Sequence, residues 1–304
     1  QLYNLTDTAL AGHLLGSAAL AEIGATAALC GLIMNFAFGM NNGLALTVSR
    51  CFGAGEQEGI RRAVGWMVTL SAAVSLVLTT VSLLGRGALL QALQVPAEVW
   101  DGAAAYLTVI LLGIPLTMLY NMEAALLRAV GNSVTPLLFL LFSSVLNVGL
   151  DAAFMGPLGM GVRGAAVATV LAQGISAVLG AVYLVRSYPE LHFTLAHLKK
   201  SARRAVMNMF WAGMSMGLMS AIYNLGSVAL QSSINALGSV YITAQTAARR
   251  MAEMYFIPGG ALGISVATFS SQNLGAGRRS RIGQSVRAAL KIYFVWWLFV
   301  LAFT

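Results

Sequence analysis

The sequence predicts an all-α, polytopic membrane protein, and three features predict it: an apolar composition, long charge-free stretches and an internal parallel repeat. Of the 304 residues, 58% are apolar and 9% are charged, whereas a soluble globular domain carries about a quarter charged residues. Residues 63–85 and 164–185 contain no charged side chain. Since about 20 apolar residues are enough for a helix to cross a bilayer, the surface of this protein is expected to face lipid.

Hydropathy predicts nine membrane-spanning helices, of which the first and the last are incomplete. They are expected at residues 1–14, 20–48, 63–85, 101–123, 134–155, 162–186, 206–235, 240–271 and 286–304. Because both ends of the sequence lie inside apolar runs, we expect a fragment of a longer chain.

The basic residues predict the orientation of these helices. If the first helix runs outward, the cytoplasmic connections are 49–62, 124–133, 187–205 and 272–285. With the adjoining helix ends, these connections carry fourteen of the eighteen Lys and Arg residues, as the positive-inside rule requires. The net charge of +8 therefore does not indicate nucleic-acid binding, because no basic stripe lies on a polar domain.

An internal repeat predicts two similar halves. Tyr-Asn-Leu at 3–5 recurs at 223–225, and Gly-Ala-Gly at 53–55 recurs at 275–277. The copies begin six helices apart, so both halves run in the same direction, as in transporters that handle their substrate between parallel repeats. We expect a first six-helix bundle over 1–198 and about three helices of a second, truncated bundle over 199–304.

Polar side chains on three helices of the first half predict a shared cavity. Asp7 follows Tyr3 by four residues. Ser143, Asn147 and Asp151 are spaced four apart on a second helix, and Thr169 and Gln173 on the next. A carboxylate inside the membrane costs about 2.5–3.5 kcal/mol on insertion scales, so it needs a functional reason. Two desolvated carboxyl groups can exchange a proton, and with Asn147 and Thr169 they can also form an oxygen site for Na⁺. The simpler alternative is that Asp7 and Asp151 are solvated at the membrane interface.

A different polar set lies in the second half. Arg249, Arg250 and Glu253 are within one helical turn, so they can either pair with one another near the outer interface or line a cavity. Glu123 is expected to pair with Arg128 at the cytoplasmic end of its helix. No cysteine or histidine spacing predicts a metal site, and no nucleotide-binding loop is present, so no cofactor is expected and an ion gradient is the expected energy source.

Several separated motifs resemble the multidrug and toxic compound extrusion (MATE) family. They are Tyr-Asn-Leu-Thr-Asp-Thr-Ala-Leu-Ala-Gly at 3–12, Arg-Cys-Phe-Gly-Ala-Gly at 50–55, Leu-Arg-Ala-Val-Gly-Asn-Ser-Val-Thr-Pro at 127–136, Asn-Val-Gly-Leu-Asp at 147–151 and Gln-Asn-Leu-Gly-Ala-Gly at 272–277.

The resemblance implies twelve helices in two bundles, rocker-type alternating access and a cation site in the first bundle. It assigns that site to Tyr3, Asp7, Asn147, Asp151 and Thr169. It further implies a monomeric, multi-pass protein of the prokaryotic plasma membrane that exports amphipathic, often cationic organic compounds in exchange for H⁺ or Na⁺. One departure is that the seventh-helix Glu of one subfamily has no counterpart, since Tyr223 or Asn224 stands there.

The same residues leave three rival functions to compare. A lipid-linked oligosaccharide flippase of the same superfamily should show several cationic residues in its cavity, and Arg249 and Arg250 are the only candidates. An intramembrane enzyme should show a buried nucleophile with a base, or a metal constellation, and no His lies deep in a predicted helix. A channel would not need the duplicated halves.

The Asp7→Asn variant tests the predicted coupling role of the first carboxyl group. Because the amide keeps the shape but cannot bind a proton, the variant should lose efflux-based drug resistance while its expression is unchanged. Growth in the presence of the drug, compared with membrane abundance of the protein, measures this. Resistance equal to that of the wild type would contradict the assignment.

Overall fold

The described part of the protein, residues 10–235 and 239–303 of a computed structural model, consists of helices joined by short connections. No β-strand occurs in these two ranges. The helices are α1 (the helical residues 10–15), α2 (Ser17–Ala54), α3 (Gln57–Leu84), α4 (Arg86–Ala92), α5 (Trp100–Ala129), α6 (Val134–Met155), α7 (Val162–Ser187), α8 (Leu195–Lys199), α9 (Arg203–Asn235), α10 (Ser239–Gly275) and α11 (Arg279–Phe303). Two single turns of 3-10 helix, Ala97–Val99 and Pro189–Leu191, precede α5 and α8.

The long helices agree with the hydropathy prediction. Seven helices within the described ranges are long and apolar enough to cross a membrane, so the protein is a multi-pass membrane protein. The helix predicted at 20–48 is longer than expected and includes the Arg-Cys-Phe-Gly-Ala sequence up to Ala54. It ends where Gly55 takes the left-handed conformation with φ 69°, which only glycine adopts without strain.

Two short helices were not predicted. Helix α4 has seven residues and α8 has five, and elements this short show no hydrophobic period. Helix α8 begins at Leu195, and the side chains of Thr194, which precedes it, and of His197 cap its N-terminus. Both helices lie in connections, so they do not change the predicted order of membrane spans.

Helix α2 is the centre of the packing, with contacts to α3, α5, α9 and α10. Its contact with α9 is made through glycines spaced four apart on each helix: Gly39 and Gly43 on α2, and Gly213 and Gly217 on α9. A Cβ atom at Gly43 would lie 2.5 Å from the Ala212 carbonyl oxygen. Small residues at this spacing let two membrane helices approach to backbone contact.

Helices α2 and α10 meet in the same way at their C-terminal ends. A Cβ atom at Gly53 would collide with the Gln272 carbonyl, and a Cβ atom at Gly275 would collide with the Arg50 carbonyl. These four residues are two equivalent pairs of the repeat, since 50 corresponds to 272 and 53 to 275. The two halves therefore form the same backbone contact twice.

Hydrogen bonds add to this contact between the halves. The Ser271 hydroxyl donates to the Leu46 carbonyl at 2.6 Å, and the Gln272 side-chain amide donates to the Ala129 carbonyl at 2.8 Å. His197 lies 3.6 Å from Glu58. These contacts bring all four connections that were predicted to be cytoplasmic to one end of the protein, called the basic end below. The division into bundles at residue 198 stays a prediction.

Alanine substitutions in α2 test the glycine contact. Gly43→Ala should destabilise the protein by about 1–3 kcal/mol, because the added methyl group overlaps the α9 backbone. Gly24→Ala is the matched control: nothing lies within 4 Å of a Cβ atom there, so the change should be neutral or gain about 0.5–1 kcal/mol of helix stability. Thermal unfolding of the purified full-length protein, followed by size-exclusion chromatography, measures the difference. Equal stability of the two variants would contradict the packing.

Candidate functional site

The buried face of α6 is polar, although the helix is apolar elsewhere. Ser143, Asn147 and Asp151 follow one another at intervals of four residues and are each 0% exposed. The other buried residues of α6 are Pro136 and Met155, and leucine and valine side chains on the remaining faces are exposed. The arrangement is the reverse of a soluble amphipathic helix, as expected for a helix with lipid on its outer side.

Helix α7 completes a polar cluster with this face. The Asn147 side-chain amide donates to the Thr169 hydroxyl at 3.4 Å, and Thr169 is buried. The structure therefore brings together three of the predicted site residues, Asn147, Asp151 and Thr169, with Ser143, which belongs to the predicted polar stripe of α6. These four residues are called the polar cluster below.

The polar cluster offers oxygen atoms of three chemical types: carboxylate, amide and hydroxyl. Among the described residues, Asn147 Oδ1 and Ser143 Oγ are buried without a hydrogen-bond partner. Oxygen ligands of this kind bind hard cations, and a carboxyl group in a membrane protein can also carry a proton. Asn147, Asp151 and Thr169 are therefore the residues that can hold a coupling ion.

The other predicted site residues are not placed. Tyr3 and Asp7 lie outside the described residues. Arg249, Arg250 and Glu253 belong to α10, but their side chains are also outside the part of the chain that the structure describes. Their proposed roles, in coupling and in a second-half cavity or a flippase site, stay predictions.

The sequence did not predict a polar contact that adjoins the cluster. The Thr117 hydroxyl of α5 donates to the Gln173 side-chain oxygen of α7 at 2.6 Å, and both residues are buried. Gln173 lies one turn from Thr169, so this bond extends the polar contacts between α7 and its neighbours. A single threonine in an apolar helix gives no signal, because it can bond to its own backbone.

The expected pair between Glu123 and Arg128 is wrong. The structure shows no ion pair between them within the described residues, because positions five apart on α5 point about 140° away from each other. The Arg128 guanidinium instead donates to the Asn42 side-chain oxygen at 3.1 Å and lies 5.9 Å from the centre of the Phe38 ring, both on α2. Glu123 points towards α7 and is 4% exposed.

Comparisons with known proteins agree with this architecture. The MatE family model matches residues 1–153 and 199–304. The probable multidrug resistance protein YpnP of Bacillus subtilis (strain 168) is 28% identical over 280 residues, and the match covers 92% of this chain and 62% of YpnP. The chain therefore spans less than two thirds of the length of this relative.

Two solved structures are similar over nearly the whole chain. One shows MATE in the bent conformation, with a TM-score of 0.87 and 26% identity over 99% of this chain and 67% of that chain. The other is the outward-facing conformation of a multidrug resistance MATE family transporter of the MOP superfamily, with a TM-score of 0.86, 26% identity and the same 99% and 67% coverage.

A double-mutant cycle tests the contact between Thr117 and Gln173. Thr117→Val should cost about 1–3 kcal/mol, because it leaves the Gln173 amide buried without its donor. The double variant Thr117→Val/Gln173→Leu should lose less free energy of unfolding than the two single variants lose together, by about 0.5–3 kcal/mol. Thr80→Val, on an exposed face of α3, is the control and should have little effect. Additive changes in thermal stability would show that the hydrogen bond does not form.

Proposed function

Because this chain belongs to the MatE family, we propose that the protein is an efflux carrier that exchanges H⁺ or Na⁺ for drug-like organic molecules. Its substrates are amphipathic and often cationic, and it acts as a monomer in the plasma membrane. The name of YpnP, a probable multidrug resistance protein, supports this substrate class.

The observation that carries the proposal is the burial of Asp151 within a polar cluster. Carboxyl groups are rare and costly inside membrane-spanning helices, and where they occur they face a bundle interior and mark ion or proton pathways. Asp151 is 0% exposed and lies on the buried face of α6, one turn from Asn147. A solvated interfacial carboxyl group, the simpler alternative, would be exposed. The proposed role of the polar cluster is therefore to bind the coupling ion.

The contacts at the basic end support alternating access as the mechanism. The two halves touch there through Gly53 and Gly275, and through hydrogen bonds from Ser271 and Gln272. A carrier closed at this end would be open towards the opposite side of the membrane, where a bound compound leaves. Separation of these contacts would give the inward-open state.

The proposed exchange places ion coupling in the first half of the chain. An ion from outside binds the polar cluster, α6 and α7 change their packing, and the organic compound is released outward. The second half has Tyr223 and Asn224 where one subfamily of the family carries a glutamate, so it is not proposed to hold the coupling ion.

The Asp151→Asn variant tests the coupling role. Expressed from the complete gene in a drug-sensitive bacterium, it should reduce ethidium efflux about tenfold or more, a change equivalent to at least about 1.4 kcal/mol. Wild-type efflux should stop when an ionophore removes the ion gradient. Asp101→Asn, an exposed acidic residue in the first turn of α5, is the matched control and should export ethidium normally.

Accumulation of ethidium in cells measures the efflux activity of both variants. The same assay without Na⁺ separates H⁺ coupling from Na⁺ coupling. Ethidium efflux by the Asp151→Asn variant at the wild-type rate would refute the proposal.

A further inference from the structure

A second buried carboxyl group lies towards the basic end of the first half. Glu123 is in α5, six residues before its end, which corresponds to about 9 Å along the helix. It is 4% exposed and forms no hydrogen bond or ion pair with any other described residue. An isolated ionised carboxylate is far more costly in such a place than a carboxylic acid, so groups of this kind are paired or take up a proton.

The surroundings of Glu123 form a small cavity with a second unpaired polar group. Helices α5, α6 and α7 line it, with Tyr120, Phe139 and Ser176 among the lining residues. Ser176 is 1% exposed, and its hydroxyl has no hydrogen-bond partner in the described part of the chain. A carboxyl group and a hydroxyl group are therefore both buried against this cavity.

Helix α7 leaves room for the carboxyl group at one specific position. A Cβ atom at Gly180 would collide with Glu123 Oε2, so a larger residue there would displace the side chain. The glycine lies one turn from Ser176, on the same side of α7. Gly180 and Ser176 of α7 therefore both face the Glu123 side chain.

Two rows of polar side chains extend from the polar cluster towards Glu123. Thr117, Tyr120 and Glu123 follow one another at three-residue intervals on α5. On α7, Thr169, Gln173 and Ser176 lie on one face. The hydrogen bond between Thr117 and Gln173 joins the two rows, and Asn147 joins Thr169 to α6. We call these six residues of α5 and α7 the polar seam; on α7, from Thr169 to Ser176, it extends about 10 Å.

We propose that Glu123 is a second proton-binding group, which exchanges its proton with the solution at the basic end and is coupled to the polar cluster through the polar seam. The inference rests on the proposed carrier function. Each binding step joins one proton from solution to one carboxylate oxygen, and release reverses it, so no redox partner is needed. The carrier then has proton-binding carboxyl groups towards both sides of the membrane.

The charged and titratable groups around Glu123 favour this role. Tyr120 of α5 is the other titratable residue that lines the cavity. Helices α6 and α7 contribute no charged side chain to the lining. The Thr135 hydroxyl of α6 donates to the Tyr183 hydroxyl of α7 at 3.5 Å. The Arg128 guanidinium donates to Asn42 on α2, and no ion pair joins it to Glu123 within the described residues.

Infrared difference spectra of the purified full-length protein, recorded between alkaline and acidic pH, test the inference. The carbonyl stretch of protonated carboxylic acids should show a component that Glu123→Gln removes and Asp151→Asn retains. Ser176→Ala should shift the titration midpoint of that component, because the hydroxyl next to the acid is lost. Glu58→Gln, whose side chain is 58% exposed on α3, is the matched control and should leave the component unchanged.

Ethidium efflux driven by a pH gradient gives the second measurement, and we expect at least a fivefold loss in Glu123→Gln. Should that variant fail to fold, the Ser176→Ala spectrum decides: a midpoint equal to that of the wild type overturns the proposal. An unchanged carboxylic-acid signal in folded Glu123→Gln overturns it as well, while a loss of efflux in Asp151→Asn leaves the carrier function standing. Wild-type efflux in Asp151→Asn refutes the carrier function whatever Glu123 does.

Discussion

The structure depends on one constraint, which is that polar side chains must be turned away from lipid. In hydrocarbon, an unpaired polar group costs several kcal/mol, so membrane helices bury what soluble helices expose. Helix α6 shows this most clearly, because three of its five buried residues are polar. The bundle interior is therefore where hydrogen bonds and carboxyl groups collect, and the proposed ion coupling depends on these buried groups.

The same constraint determines how the two halves meet. Lipid tails are as apolar as leucine, so helices in a membrane associate by close fit and hydrogen bonds and not by the hydrophobic effect. Gly43 and Gly213 give this fit between α2 and α9, and Gly53 and Gly275 give it between α2 and α10. Because the second contact is duplicated by the repeat, both halves contribute equally to it. An interface held by fit and a few hydrogen bonds can separate without exposing a hydrophobic core to water, as a rocking carrier requires.

Most of the fold was predictable from the sequence, because twenty apolar residues between basic connections leave few alternatives to a membrane helix. Part of the site was also predictable: Asn147 and Thr169 were identified as polar residues on apolar helices, and the structure joins them by a hydrogen bond. Thr117 was missed, since its partner is on another helix and only packing reveals it. The predicted pair of Glu123 and Arg128 is wrong, because two side chains that are five residues apart on a helix point in different directions.

The unpaired oxygen atoms of the polar cluster supply a physical basis for coupling. A ligand shifts a two-state equilibrium only by its difference in affinity for the two states. Within the described residues, Ser143 Oγ and Asn147 Oδ1 are buried without donors, and each such acceptor costs about 1–3 kcal/mol. In the proposed carrier, a protonated Asp151 would donate to Asn147 Oδ1, and a bound cation would contact both Asn147 Oδ1 and Ser143 Oγ, in one arrangement of α6 and α7. In the other arrangement these oxygens would stay without a partner. The free energy that favours one state then comes from the buried oxygens of Ser143 and Asn147. An apolar residue at either position would be more stable, but it would leave the proposed carrier without this source of coupling.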